Sequence, residues 1–298
     1  MATNRGLAMV AALLLGVSLG ALAGPRILCT TTIVGDVVAH VAGPDVPVTV
    51  LLSLGADPHS FEATPNDLVT IAQAHVIFES GAGLEAFLAP LLEATEARVV
   101  DLSAGLPLRS LTSEPSEGGE TTDPHVWFDP ANVIAWLDVI VQVLGEVDPG
   151  RAAEYRDRAA VYAESLRALD AWIAETVRAL PREDRRLVTD HDALGYFAAR
   201  YGFELIGTVL PGLSPLSEPS AREVAALESA IAAAGVPAIF VGTTVNPAVA
   251  AQVAADTGTR LVVLYTGSLS DASGPAPTYV DFMRYDVLAI VASLGGSP

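Results

Sequence analysis

Between Arg151 and Leu180 the chain runs for thirty residues without a proline or a glycine. Its larger apolar residues and one alanine fall at Tyr155, Ala159, Tyr162, Leu166, Leu169, Ile173, Val177 and Leu180. The steps of 4, 3, 4, 3, 4, 4 and 3 make a helical stripe along the whole segment. At 1.5 Å per residue such a helix is about 45 Å long, more than one small domain spans. A coiled-coil dimer would use the same stripe. The flanking sequence favours a rigid spine between two halves of one chain, entered through the break Asp148-Pro149-Gly150.

On both sides of this segment, short β-branched runs alternate with helical ones. Strands are expected at Arg26–Ile33, Val46–Leu52, His75–Ser80 and Arg98–Leu102, then at Arg186–Thr189, Glu204–Val209, Pro237–Gly242 and Arg260–Leu264. Helices are expected at Gly35–Ala42, Pro65–Ala74 and Leu84–Ala94, and from Pro130, with Asp129 as its cap, to about Val147. In the second half they fall at Leu194–Tyr201, Ala221–Ala234, Pro247–Thr257 and Tyr279–Leu294. Ser220 and Glu223 form a capping box before the second of these. This alternation implies parallel sheets covered by helices. The expected fold is α/β, with two lobes, each built on a roughly four-stranded parallel sheet with flanking helices, joined by one long rigid helix. The N-terminal lobe would cover 24–150, the linking helix 151–181 and the C-terminal lobe 182–298.

Residues 1–23 read as a secretory signal peptide. Arg5 is its one charge, Leu7–Ala21 its apolar run and Ala21-Leu22-Ala23 its cleavage site. The run is shorter than the ~20 apolar residues a membrane span needs, so cleavage is favoured over an uncleaved N-terminal anchor. The chain is therefore expected to be exported. Cys29 is the only cysteine, which excludes a disulfide framework and a cysteine-rich zinc site. Arg26-Ile27-Leu28 before it do not fit a lipoprotein box, and Cys29 reads as a buried thiol of the first strand.

There is no lysine, and 16 arginines face 35 acidic residues, for a formal charge of −19. Neutralising phosphates needs basic clusters, so nucleic acid is excluded as a partner. Part of the acidity lies in Thr112–Thr122, a polar stretch read as an acidic surface loop.

Three of the five histidines stand beside aspartate. Asp57-Pro58-His59 and Asp123-Pro124-His125 are the same triplet, and Asp190-His191-Asp192 is the third case. Composition alone would give about 0.02 Asp-Pro-His triplets, so two are not noise. All three lie in loops or at element edges. Neutral imidazole is a good ligand for Zn²⁺ and similar ions, and a ligating histidine commonly donates its other N–H to a carboxylate. Two ligands come from the first lobe and one from the second, which places a metal in the cleft between them. His40 and His75 lack such a context.

Gly81-Ala82-Gly83-Leu84-Glu85-Ala86 after a strand, with Asp101 further on, has the form of a dinucleotide fingerprint. It follows the third strand of its lobe rather than the first, and reads instead as a tight strand-to-helix turn. No nucleophile motif is present, and no catalytic residue is assigned.

Taken together these motifs resemble the zinc/manganese-type (cluster A-I) solute-binding proteins of metal ABC transporters. Leu54-Gly55-Ala56-Asp57-Pro58-His59 with Phe61-Glu62 is similar to their first ligand motif, and Asp123-Pro124-His125-Val126-Trp127 to their second. His191-Asp192-Ala193-Leu194-Gly195-Tyr196-Phe197 with Arg200-Tyr201-Gly202 is similar to their third. Ser217-Glu218-Pro219-Ser220, Thr278-Tyr279, the Gly81–Glu85 turn and the long helix fit as well. The resemblance implies a monomeric binding protein that captures a divalent transition metal outside the membrane and delivers it to a permease. His59, His125 and His191 carry over as ligands.

The fourth ligand does not carry over. Many members have aspartate where Tyr265-Thr266-Gly267-Ser268-Leu269 has Gly267; water, Glu62, Asp57 or Asp271 could complete the shell. Manganese-selecting members often replace the third histidine with glutamate, whereas this chain keeps His191. Three nitrogen ligands favour Zn²⁺ over Mn²⁺ or Fe²⁺. The alternatives are an exported zinc hydrolase, with Glu62 or Asp192 as base, and a surface adhesin stabilised by metal.

Overall fold

The computed structural model describes residues 24–111, 121–212 and 218–295. The signal-peptide reading of 1–23 and nearly all of the acidic stretch lie outside the described residues, as does Ser217.

Two parallel sheets form, with the same strand order. Strands β1 (Ile27–Cys29), β2 (Val48–Val50), β3 (Val76–Glu79) and β4 (Arg98–Asp101) make the first, ordered β2-β1-β3-β4. Strands β5 (Arg186–Thr189), β6 (Glu204–Thr208), β7 (Ala238–Gly242) and β8 (Arg260–Leu264) make the second, ordered β6-β5-β7-β8. Ile27 lies level with both Val48 and Val76, and Val76 with Arg98. The central strands β1 and β7 are buried at every position, as strands covered on both faces must be. In each sheet the order reverses beside the first strand, which opens a crevice at the carboxyl ends of β1/β3 and of β5/β7.

Helices α1 (Thr32–Ala42), α2 (Pro65–Gln73), α3 (Ala89–Glu93) and α4 (Pro130–Val147) belong to the first half, and α5 (Ala152–Arg178) is the long helix. Helices α6 (Gly195–Tyr201), α7 (Ala221–Ala234), α8 (Ala248–Thr257) and α9 (Tyr279–Ser293) complete the chain. Most follow their sequence signals. The Asp129 side chain accepts from Ala131 N ahead of α4, and Ser220 with Glu223 forms the capping box of α7. Strand β2 is shorter than the expected Val46–Leu52, and two further elements differ more. The first strand ends at Cys29 rather than Ile33, because the Thr31 hydroxyl caps Val34 N and starts α1 early. The helix expected over Leu84–Ala94 is a 3₁₀ turn at Ala86–Leu88 followed by the short α3. Gly81, Ala82 and Gly83 all have positive φ, so the chain leaves β3 through a turn and not directly into a helix.

Helix α5 runs for 27 residues, about 40 Å at 1.5 Å per residue. Its buried positions are the expected stripe from Tyr155 to Val177 plus Ala163, and Leu180, the last expected position, lies buried just beyond its end. It packs on α1, α4, α6 and α9, and one hydrophobic core runs along it from Ile27 and Phe78 of the first sheet to Phe240 and Leu264 of the second. Helix α4 is long and apolar enough to cross a membrane by length and composition. Here Val133, Trp136, Leu137, Ile140 and Leu144 on it are buried in that core. Helix α9 is a second strut. It leaves the second sheet and returns to the first half, where Tyr279 N donates to Asp36 Oδ2 at 2.9 Å and Tyr279 OH to Trp127 O at 2.7 Å.

Asp286 of α9 is fully buried. Its Oδ1 accepts from Tyr265 N at 2.9 Å, and its Oδ2 has no hydrogen-bond partner among the described residues. Burial pushes this carboxyl well above the ordinary carboxylate value of 3.8. A folded-state pKa above the unfolded one means that the group's contribution is complete at pH below 3.8 and is lost as pH rises through the folded value. Asp286→Asn keeps the acceptor and removes the ionisation. Urea unfolding across pH 4 to 9 is expected to show the variant gaining on the wild-type protein as pH rises; a difference independent of pH would contradict this.

Candidate metal centre

His191 follows β5 directly, at the crevice between β5 and β7. Strand pairing continues one residue beyond β5, with Asp190 N donating to Phe240 O at 2.9 Å, and this fixes the Asp190 side chain. Asp190 Oδ2 accepts from Gly242 N at 2.7 Å. Its Oδ1 accepts from His191 N at 2.7 Å and bonds His191 Nδ1 at 2.8 Å. Gly242 cannot carry a side chain here, since a Cβ would stand 2.2 Å from Thr266 Oγ1.

His125 leads into the 3₁₀ turn Val126–Phe128 ahead of α4. Asp123 Oδ1 takes both its backbone N–H, at 2.9 Å, and its Nδ1, at 2.8 Å. Helix α6 closes over this aspartate from the other half. A Cβ on Gly195 would lie 2.5 Å from Asp123 Oδ2, and Tyr196 OH donates to Asp123 O at 3.3 Å.

His59 sits in the loop after β2. Asp57 Oδ1 accepts from His59 N at 3.1 Å and Oδ2 from Ser60 Oγ at 2.8 Å. The two Asp-Pro-His triplets thus make the same backbone turn and differ in the imidazole. The His125 ring folds back onto its aspartate; in the other triplet Asp57 braces the loop instead.

The three imidazoles converge. His59 Nε2 lies 3.1 Å from His125 Nε2, and His191 Nε2 lies 3.3 Å from it. When both rings are neutral, carboxylates on Nδ1 of His125 and His191 place the ring protons there and leave the two Nε2 lone pairs facing each other. Such a pair repels unless a cation stands between. Burial, then His125 and His191, hold the His59 ring down to about 2, and burial with His191 keeps His125 well below its ordinary value. His191 is the exception. Burial opposes its charge, but Asp190 raises it above the ordinary value. Asp190 in turn lies below its usual range: burial acts upward, and His191 with the Gly242 N–H outweighs it. Burial pushes Asp123 up to about 7. His125 and His191 are fully buried, and His59 is the less deeply buried of the three.

Among the described residues this is the one group of metal-ligating side chains, and it contains no carboxylate. Glu62 is exposed. Asp271 is also exposed and accepts from Ser273 N and Gly274 N in its own turn. Asp192 is buried close enough to act on the charge of both His125 and His191. Gly267 faces Pro58, whose Cδ would be 2.8 Å from a Cβ. His40 stacks on Tyr162 at 4.1 Å and His75 Nδ1 accepts from Arg26 N, both away from the site.

The glycine turn is filled from within. Glu85 Oε1 accepts from Thr30 Oγ1 and Ser80 N, and its Oε2 from Gly81 N, so a carboxylate occupies the N–H groups that would cradle a phosphate. Sequence reasoning missed the segment Thr266–Leu269 as a contact surface. Trp127 Nε1 donates to Thr266 O at 3.1 Å and Gly55 N to Ser268 Oγ at 2.9 Å. Its small residues carry no periodic or charge signal.

Two like-ordered parallel sheets closing on convergent imidazoles define a two-lobed α/β binding protein. Residues 27–293 match the family described as zinc-uptake complex component A, periplasmic. The zinc-binding protein TroA of Treponema pallidum is 34% identical over 279 residues, 91% of this chain and 89% of that protein. A solved structure of periplasmic zinc-binding TroA superposes with a TM-score of 0.83 at 30% identity, covering 91% of this chain and 99% of that one. The manganese-binding lipoprotein MntA of Halalkalibacterium halodurans is 32% identical over 91% of this chain and 89% of its own length. The iron-binding protein YfeA of Yersinia pestis is 30% identical over 91% and 86%. The chain belongs to this family of metal ABC transporter substrate-binding proteins.

The Asp190–His191 pair gives a direct test on metal-free protein. Asp190→Asn removes the charge that raises the His191 pKa, so NMR titration of the imidazole nitrogens is expected to show that pKa falling. An unchanged value would mean that the aspartate does not set the ring's charge.

Proposed function

We propose that this protein binds Zn²⁺ through His59, His125 and His191 and carries it, outside the cytoplasmic membrane, to the permease of an ABC transporter. The observation that carries this reading is the convergence of the three Nε2 atoms. A tetrahedral zinc ion with bonds of about 2.0–2.1 Å holds its nitrogens about 3.3 Å apart. The separations from His125 Nε2 to the other two, 3.1 and 3.3 Å, suit it, and all three ligand atoms lie within 4.8 Å of one another. The donor set is nitrogen only, which favours Zn²⁺ over Mn²⁺ and Fe²⁺, whose sites draw more on oxygen. Family members are named for zinc, manganese and iron, so the relatives leave the choice to the donor set. Binding is the activity; no residue is assigned a catalytic role.

The lobes 24–150 and 182–298, joined through 151–181, are the units between which the ion sits, and the monomer is the working form. Export through the N-terminal signal fits a family described as periplasmic.

His59→Ala, His125→Ala and His191→Ala are each expected to lower zinc affinity by about 100-fold or more, since each removes one of three protein ligands. Competition calorimetry with a chelator measures this, and the same titration is expected to rank Zn²⁺ above Mn²⁺ and Fe²⁺. Undiminished affinity in all three variants would overturn the ligand assignment.

A further inference from the structure

The segment Thr266–Leu269 follows β8 in the second half and supplies none of the three imidazoles. It nevertheless touches three separate elements of the first half. Trp127 Nε1, two residues past His125, donates to Thr266 O at 3.1 Å. Leu269 N donates to Thr32 Oγ1, at the start of α1, at 2.9 Å. Gly55 N, in the loop that carries His59, donates to Ser268 Oγ at 2.9 Å, and Pro58 of the same loop lies against Gly267. Thr266, Ser268 and Leu269 are buried by these contacts. The segment is held from behind, where Tyr265 N donates to Asp286 Oδ1 at 2.9 Å. It is therefore a fixed surface against which the His59 loop closes.

His59 is the least buried of the three ligands, and its loop follows the edge strand β2. Its own bracing is local: Asp57 ties His59 N and Ser60 Oγ together but reaches no other element by these bonds. The contacts that set the loop's position against the second half are Gly55 on Ser268 and Pro58 on Gly267.

We propose that Gly267 and Ser268 form a clasp for the His59 loop and are positioning residues that govern metal release. The proposal rests on the three-histidine reading of the site. Gly267 gives it a sharp form. Its φ lies outside the left-handed region, so alanine there meets no backbone strain. Its cost is the approach of a Cβ to Pro58 Cδ at 2.8 Å and Cγ at 3.2 Å. Gly267→Ala therefore pushes the loop outward without touching a ligand. Ser268→Ala removes the acceptor of the Gly55 N–H and leaves the backbone as it is.

The test is the rate at which full-length protein releases Zn²⁺ to a coloured chelator in stopped flow, with Co²⁺ absorption reporting the ligand set. Gly267→Ala and Ser268→Ala are each expected to speed release about tenfold, the scale of one lost hydrogen bond or a comparable steric shift, with capture rates nearly unchanged. The Co²⁺ spectrum should stay that of the wild-type protein, because all three histidines remain. Pro58→Ala removes the ring atoms that the added methyl group of Gly267→Ala would meet. In the pair Pro58→Ala/Gly267→Ala, release is therefore expected to return toward the Pro58→Ala rate, a coupling that general destabilisation would not give.

Release by both single variants within twofold of wild type overturns the clasp while leaving the metal site standing. Loss of the Co²⁺ spectrum in Ser268→Ala overturns it too, by placing the hydroxyl in the ligand shell. Wild-type protein that takes up neither Zn²⁺ nor Co²⁺ overturns both the clasp and the site. Should Gly267→Ala fail to fold, the Ser268→Ala rate alone decides.

Discussion

The site depends on the packing of α5 against α1, α4, α6 and α9. Three imidazoles from three loops and two sheets meet with their Nε2 atoms 3.1 and 3.3 Å apart, a tolerance that a flexible linker could not keep. The stripe from Tyr155 to Val177 removes that freedom by joining both sheets into one core. Interiors packed at crystal-like density transmit displacement rather than absorb it, so a core shared by both sheets limits how far the halves can turn on one another. Helix α9 adds a second constraint through Tyr279, which bonds Asp36 of α1 and the backbone of Trp127. A wide hinge between the lobes would have to break both struts. Of the three histidine-bearing segments, the loop of His59 packs not on this common core but on a smaller one, through Ala56, Phe61 and Ala63.

The aspartates beside the histidines have separate tasks that follow from burial. Asp190 sits where β5 and β7 diverge, receives the Gly242 N–H and stays ionised against His191. Asp123 lies under α6, and burial lifts it to about 7 although it holds the ring and the backbone of His125. Asp57 shapes the loop of His59 and leaves the ring alone. Both buried rings have Nδ1 engaged, which leaves Nε2 facing the other imidazoles. The less buried ring of His59 is placed by its loop. The arrangement separates two rings held by aspartate from one positioned by its loop alone.

Much of this was legible in the sequence, for reasons that differ by element. The spine was legible because its stripe repeats without interruption, and the strands because β-branched runs ended at Gly, Pro or Asp. The histidines were legible because Asp-Pro-His occurs twice. The failures are also specific. Nothing local distinguishes Asp57 from Asp123, since both make the same turn and only tertiary burial decides where the ring goes. The strand expected to reach Ile33 stopped at Cys29 because Thr31 reads equally well as a strand residue and as a helix cap. Leu84–Ala94 looked helical by composition, but three successive positive-φ residues before it set a turn that Glu85 then fills. The role of Thr266–Leu269 was hidden altogether, because its partners Thr32 and Gly55 lie more than two hundred residues away in the chain.

The charge of −19 acquires a limited meaning in this setting. A negative surface raises the local concentration of any divalent cation, and does so without discrimination. Discrimination has to arise where water is removed. Two of the three imidazoles there are held neutral, so no proton has to leave them before an ion binds. A nitrogen-only set rewards ions that hold imidazole strongly and gives little to those that prefer oxygen. Strong holding is a liability for a protein that must give its ion away. With the lobes locked by two helices, affinity cannot be switched off by opening the whole cleft. In the proposed reading withdrawal of one ligand would achieve it instead, and His59 is the imidazole of the three whose ring is not bonded to its neighbouring aspartate.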